Sequence, residues 1–497
     1  MKPRLTRRTA LGLLVAVPVL SSCSPAGPNG SDGGTPSATS HRTGGRVRLH
    51  ITDPTGAELD LDGLRAIQSN AVGPAGYDDI LLDAVTLEAV AAWPLEADDD
   101  GAPCLDLPDG GPYCLCLSWP TSHGYSALLA DIPGPGEHDL AELAARSLHT
   151  RQGERIASAT TVSEETTHLR EATQAELKAC DGASTWSERG AHAREALESA
   201  SAAQFSLDRD LTALAPADAV VGVTLTRVPS DTELDALLGP SGPGAGGRPL
   251  AARLVIADPA DRSETEGWTR TVARLQTEGG IAVGQVCDSH AMADLDDSAW
   301  DARVDALLAA LPQVDVWEVG NELGGDWLGE DAAARMTRAA RAVREAGNAT
   351  TLLTLYHQLG QDTAATSTFT VAAEQVGEEL QGLTDVVGLS VYPQWHPLGT
   401  AADRVLTTLA RAFPEARVAV TELGYGAADL DAGPWWFTSP TDVAAARSEV
   451  AQQVTAAVLG RDNAWGAPFW WYYLEDEAAA ASPGGTGDVA TALAEAG

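Results

Sequence analysis

The 497-residue sequence predicts an α/β protein, a C-terminal (β/α)8 barrel preceded by a small antiparallel β-sandwich and a helical pair. Three observations lead there. From Ala215 onward, apolar β-rich runs alternate eight times with helical stretches over about 280 residues, the pattern of such a barrel. From Arg46 to about Asp139, short alternating runs are separated by turn signals and read as antiparallel strands. Between Leu140 and Leu214 the chain is rich in Ala, Glu, Arg, Leu and Gln and has no proline, which is helical composition.

Composition sets the outer bounds. A chain of this length that is 44% hydrophobic is too long for one ordinary core and too apolar for disorder, so two or three domains are expected. The 32 basic and 70 acidic side chains give a formal charge of −38, and the only lysines are Lys2 and Lys178. Phosphate recognition needs a basic face, so a nucleic-acid partner is excluded.

Residues 1–22 have the layout of a signal peptide. Lys2, Arg4, Arg7 and Arg8 precede an apolar run from Leu11 to Leu20, which is half of the roughly 20 residues that span a bilayer. Arg7-Arg8 after Thr6 is similar to a twin-arginine signal, with Ala10 a poor fit to it. Leu20-Ser21-Ser22-Cys23 resembles a bacterial lipobox, which implies a lipidated Cys23 as mature N-terminus and a location on the extracellular face of the cell membrane. Residues 23–45 are rich in Ser, Gly, Pro and Thr and read as a flexible tether.

The sandwich is assigned to 46–139, with strands at Val47–Ile51, Ile80–Val85 and Tyr113–Leu117; packing or spacing is its expected duty, carbohydrate binding the alternative. Cys104 and either Cys114 or Cys116 flank the turn-like Pro108-Asp109-Gly110-Gly111-Pro112, so one hairpin disulfide is expected in an oxidising compartment. The helical pair occupies 140–214 as a structural bridge, with Gly182 ending one helix and Ser184 capping the next. The barrel spans 215–497, with strand runs Val220–Val228, Arg253–Ala257, Ile281–Val286, Val314–Val319, Thr351–Tyr356, Val386–Tyr392, Val418–Thr421 and Phe469–Tyr473. Gly242–Gly247 lacks the spacing of a phosphate-binding turn and reads as a mobile loop.

In such a barrel, reactive groups stand at the carboxyl ends of strands. Two glutamates do so: Glu322, after the fourth run within Trp317-Glu318-Val319-Gly320-Asn321-Glu322, and Glu422, after the seventh. Three strands apart, they face each other across the mouth. Two carboxylates so placed suit glycosidic cleavage, one delivering a proton to the leaving oxygen and the other attacking or supporting the sugar carbon. A separation of about 5 to 5.5 Å would give retention, and about 6.5 to 9.5 Å inversion. Glu318 shares the parity of Glu322 and is expected to have a structural or supporting role inside the barrel.

Asn-Glu ending strand four with Glu ending strand seven resembles the retaining glycosidases of the "4/7" (β/α)8 superfamily, glycosidase clan A. The resemblance implies that Glu322 is the acid/base, Glu422 the nucleophile and Asn321 a partner of the sugar 2-hydroxyl. It also implies a tryptophan on strand eight under the sugar; Trp470 and Trp471 are both candidates, and Trp471 is preferred. Tyr392, ending strand six, is a candidate to hydrogen-bond the nucleophile, as an aromatic hydroxyl or His does in similar enzymes. Two departures from the superfamily stand out: Leu323 replaces a proline after Asn-Glu, and the second run ends at Ala257-Asp258-Pro259 without an arginine.

Tryptophan is the commonest aromatic, 13 against 8 Tyr and 5 Phe, and Trp327, Trp395, Trp435 and Trp436 follow strand ends where indole faces would meet sugar rings. His290, His357 and His396 follow strands three, five and six, with ligand contact and structural use both open. No Cys-x-x-Cys pair exists and the ten histidines are scattered, so neither a metal nor a cofactor is implied. The expected partners are a carbohydrate substrate and, through Cys23, a membrane. The competing class is a surface sugar-binding or cell-wall-associated lipoprotein that keeps the barrel without turnover.

Overall fold

A computed structural model describes residues 44–53, 55–72, 79–159, 161–240, 242–347, 349–360, 364–425, 443–480 and 489–496. The expected signal peptide, Cys23 and nearly all of the expected tether lie outside the described residues, and so do Trp435 and Trp436. Among the described residues no helix is long and apolar enough to cross a membrane.

Eight short strands come first: β1 Gly45–His50, β2 Ile80–Asp83, β3 Ala89–Ala92, β4 Glu96–Ala97, β5 Pro103–Leu107, β6 Tyr113–Thr121, β7 Gly124–Ile132 and β8 Gly136–Asp139. They form two four-stranded sheets, ordered β4-β5-β1-β8 and β3-β2-β6-β7. The second is antiparallel throughout, whereas in the first β1 pairs with β8 in parallel. The Pro108–Pro112 turn therefore links two sheets instead of closing a hairpin. Cys104 lies in one sheet, Cys114 and Cys116 in the other, and all three are free and buried, which overturns the expected disulfide.

Period-two alternation gives the second sheet two apolar faces. Leu81, Leu115, Leu117, Trp119, Leu128 and Ala130 join Val47, Leu49 and Leu105 of the first sheet in one core. Ile80, Leu82, Cys114, Cys116, Ala127 and Leu129, on the opposite face, belong to the core of the barrel. A buried leucine contributes roughly 1.5–3 kcal/mol, so this sheet is held by the barrel as well as by its own partner.

Three helices follow, not two: Leu140–Ser158, Glu164–Gly182 and Trp186–Asp210. The additional break falls where Thr161 and Val162 precede Ser163, whose side chain accepts from Thr166 N and caps the second helix. The third is capped by Thr185, one residue beyond Ser184, which instead donates to Glu188.

The barrel is closed by β9 Val220–Leu225, β10 Leu250–Val255, β11 Ile281–Gln285, β12 Val316–Leu323, β13 Thr350–Tyr356, β14 Val386–Val391, β15 Arg417–Leu423 and β16 Ala464–Trp470, with β16 pairing back to β9. All eight pairings are parallel. The second run begins three residues before the sequence pattern suggests, and the eighth, five. Gly242–Gly247 holds a short 3-10 turn, Pro243–Gly246, with Pro243 buried.

Arginines lock the helical layer to the barrel. Asp403, in the helix Ala402–Ala412 after β14, receives Arg151 at 2.8 Å and Arg155 at 3.3 Å from the first of the three helices, and Arg461 at 2.8 Å. Arg404, next in that helix, bonds the Ala84 carbonyl at 2.6 Å and Asp131 of β7 at 2.7 Å.

Candidate active site

The barrel interior is built in layers. Toward the amino ends of the strands, Val220, Ala251, Val283, Val316, Leu352, Val386 and Ala419 form an apolar plug with Trp465 and Phe469. Two residues further along, the inward positions become Arg253, Gln285, Glu318, Thr354, Gly388 and Thr421. Gly388 is required there, since a Cβ would collide with the Thr421 side chain.

Burying such groups is costly unless they are paired. Arg253 and Glu318 are 1% exposed and meet in a fork: Arg253 Nε donates to Glu318 Oε2 at 2.8 Å and Nη2 to Oε1 at 2.9 Å. Thr354 Oγ1 adds a third bond to Glu318 Oε1 at 2.5 Å. Burial works against the Arg253 charge, but the surrounding carboxylates outweigh it and raise its pKa. Burial raises that of Glu318, with Arg253 opposing.

The remaining arm of Arg253 reaches the next layer, where Nη1 donates to Glu422 Oε2 at 3.0 Å. Asn321 Nδ2 donates to the same oxygen at 3.2 Å, and Tyr392 O–H to Oε1 at 2.5 Å. Gly424 permits that last bond, because a Cβ there would strike the Tyr392 ring. Glu322 stands opposite at the end of β12. The register of β12 against β13 shifts twice between Glu318 and Leu323, and Glu322 adopts φ +58°, a conformation seldom taken by a residue with a side chain. Ser289 Oγ donates to Glu322 Oε2 at 2.6 Å and Ser390 Oγ to Oε1 at 2.7 Å. Asn321 Oδ1 accepts from Ser289 N at 3.0 Å, so one amide joins the surroundings of both glutamates. Both glutamates are fully buried.

No protein-family model matches this chain, and no curated protein matches it. Solved structures of glycoside hydrolases do. A structure of fungal β-1,4-galactanases is 13% identical with a TM-score of 0.40, covering 56% of this chain and 99% of that one. A xylanase of Thermobacillus composti is 13% identical over 51% of this chain and 83% of its own, TM-score 0.33. A Streptomyces mannanase catalytic domain is 18% identical over 51% and 74%, TM-score 0.33.

The structure brings Glu322, Glu422, Asn321 and Tyr392 into one network and adds Arg253, Ser289, Ser390 and Glu318. Arg253 lies inside β10, within the second run and ahead of its Ala257-Asp258-Pro259 end. The Trp471 ring lies under the Arg253 guanidinium, 5.3 Å from its carbon, and is partly exposed. Trp470 points the other way, buried in the barrel's outer core with Nε1–H donating to Asp476 at 2.7 Å, and does not belong to the site.

Further rings line the strand ends. His290 stacks on Trp327 at 5.2 Å, Trp327 meets Tyr356 edge-on at 4.9 Å, and Tyr356 meets His396 edge-on at 5.4 Å. Trp395 tilts against Tyr392 at 5.4 Å. His290, Trp327 and Trp395 keep partial exposure. His357 and His396 are buried where the barrel meets the amino-terminal sheet, lining a cavity of about 20 Å³ with Cys116, Leu117 and Ala127. Burial lowers the His357 pKa to about 4, and burial, with His357 nearby, lowers that of His396 to about 3. Their placement is that of structural, uncharged rings. Among the described residues no group of three or more His, Cys, Asp or Glu could hold a metal ion.

Proposed function

We propose that this chain hydrolyses β-glycosidic bonds of an oligo- or polysaccharide with retention, Glu422 acting as nucleophile and Glu322 as acid/base. The observation that carries this is the contrast between the two carboxyl groups. Glu422 Oε2 faces N–H groups of Arg253 and Asn321, which can donate but never accept, so a proton has no place on that oxygen. Each Glu322 oxygen meets a serine hydroxyl, which can donate or accept and so tolerates the charged and the neutral form.

In the first step a Glu422 oxygen attacks the anomeric carbon, and the glycosidic C–O electron pair departs with the leaving oxygen, which takes the Glu322 proton. In the second, water attacks the same carbon, the ester pair returns to Glu422, and the water proton passes to Glu322. Asn321, beside both carboxyl groups, is placed to bond the sugar 2-hydroxyl. Trp471 offers a flat apolar face for the ring. The resemblance of residues 1–23 to a signal peptide ending in a lipobox supports a location at the outer face of the cell membrane, anchored through Cys23.

The test is a screen against aryl β-glycosides and β-linked polysaccharides, with Glu422→Ala and Glu322→Gln as controls and the first-formed anomer read by proton NMR. Both variants are expected to stay folded and lose turnover of unactivated substrates, and the β-anomer to form first. Hydrolysis surviving in both variants refutes the assignment. Glycan binding without cleavage by the unaltered chain moves the reading to a sugar-binding surface lipoprotein.

A further inference from the structure

We infer that Ser289 and Ser390 are the positioning residues that let Glu322 alternate between proton donor and proton acceptor, and this rests on the acid/base reading of Glu322. A fully buried carboxyl is driven toward its neutral form unless donors hold the charge, while donors that cannot accept would fix it as the anion. The catalytic cycle needs both forms in turn. A hydroxyl on each oxygen meets that need. With Glu322 ionised, Ser289 donates to Oε2 and Ser390 to Oε1, as observed at 2.6 and 2.7 Å. When Glu322 holds a proton, the hydroxyl facing it turns its lone pair toward the carboxyl O–H, and only an O–H rotation is required. Proton and bonding pair move between Glu322 and the sugar or water oxygens; the serines exchange none.

The two hydroxyls are fixed independently. Ser289 is 1% exposed and begins a short turn after β11, its backbone N–H bonded to Asn321 Oδ1, so it is tied to the residue that precedes Glu322. Ser390 is fully buried within β14, two positions before Tyr392 and on the same side of the strand. One strand thus presents a hydroxyl to each glutamate: Ser390 to Glu322, and Tyr392 to Glu422 at 2.5 Å. Ser289 follows β11 and Ser390 lies in β14, so the two hydroxyls hold the carboxyl from two separate elements.

The experiment compares Ser289→Ala, Ser390→Ala, the double variant and the two threonine variants on phenyl and 2,4-dinitrophenyl β-glycosides of glucose, galactose, mannose, xylose and cellobiose. Dinitrophenolate leaves without a proton, so turnover of the phenyl substrate is expected to fall at least ten-fold more than that of the dinitrophenyl one. Loss of the donors raises the Glu322 pKa, so the alkaline limb of kcat/KM moves upward, while threonine restores both readouts. Equal loss on both substrates with an unmoved limb overturns the inference. A second measurement is free of turnover: the carboxyl carbon of Glu322, assigned with Glu322→Gln in 13C-glutamate-labelled protein, is titrated by NMR. An upward shift of its midpoint in the double variant supports the positioning role, and an unchanged midpoint overturns it. If Glu322→Gln affects both leaving groups equally, the acid/base reading has failed; the serines would then still hold the carboxyl, without serving a proton transfer.

Discussion

Arg253→Met is the most direct probe of the barrel interior. In the native chain one guanidinium faces two carboxyl groups with essentially no solvent exposure, Glu318 through a fork at 2.8 and 2.9 Å and Glu422 at 3.0 Å. Methionine fills similar space but removes the cation that both buried carboxyl groups face. Breaking a buried pair from one side costs about 3–5 kcal/mol. With a urea dependence near the upper end for globular proteins, the unfolding midpoint should fall by on the order of 1 M. The loss should shrink at pH 5 relative to pH 8, since the stranded carboxyl groups can regain neutrality by taking up protons. Turnover should fall about 100-fold, close to 2.7 kcal/mol of barrier, because Glu422, the proposed nucleophile, loses the guanidinium that holds its charge and keeps the Asn321 and Tyr392 donors.

Glu318→Gln separates the two halves of that cost. Alone it leaves Arg253 paired with Glu422 and should be the milder change. Combined with Arg253→Met it removes one of the two stranded charges, so the double variant should be more stable than Arg253→Met alone. Urea titrations of the four proteins at both pH values supply the cycle. An Arg253→Met midpoint equal to the parent's, or a loss that grows on acidification, would refute the compensation argument.

Three further outcomes are expected. Trp471→Ala should raise KM or lower kcat with little change in thermal stability, whereas Trp470→Phe, which loses the bond to Asp476, should lower the melting temperature and leave KM alone; exchanged phenotypes would show that the rings had been assigned to the wrong faces. His357 and His396 take up protons near pH 6.5 when unfolded but only at about 4 and about 3 when folded, so stability present above pH 6.5 is lost as pH falls through that window, by about 2 kcal/mol each at pH 5. Urea midpoints of His357→Gln against the parent should converge toward acid if this holds. Thiol titration in denaturant without reductant should find Cys104, Cys114, Cys116, Cys180 and Cys287 all reactive.

Much of the barrel was legible because each strand needs an apolar run whether or not its partners are known. The eighth strand was misplaced for a local reason. The aromatic block Phe469–Tyr473 outweighed Ala464–Pro468, where Gly466 and Pro468 look like breakers; Gly466 is needed because a Cβ would strike Val220 of the neighbouring strand. Glu322 and Glu422 were visible as acids at strand ends. Arg253 was not, though it lies within a recognised run, because a buried cation becomes intelligible only with its partners, 65 and 169 positions away. Ser289 and Ser390 are commonplace residues whose meaning comes from the carboxyl group between them. The indole faces at 470 and 471 could not be ranked until the strand end was fixed.

The amino-terminal sheet is more than a spacer, and the reason lies in what it touches. β14 carries Ser390 and leads directly to Tyr392, so the path of the chain from Pro393 to Thr400 bears on how those hydroxyls meet the glutamates. That path is anchored outside the barrel. Thr400 N donates to Ser126 Oγ at 3.3 Å and Thr400 Oγ1 to the Ala127 carbonyl at 3.4 Å, both on β7. Gly399, at φ +48°, packs so closely on Ser126 that a Cβ would not fit. His357 and His396 fill the space between, and Arg404 and Asp403 fasten the following helix to Asp131 and to the arginines of the helical layer. A barrel excised at residue 215 would lose every one of these contacts and expose the apolar surface now covered by Ile80, Leu82, Cys114, Cys116 and Leu129. The segment that aims Tyr392 at Glu422 is therefore braced by residues two hundred and more positions upstream.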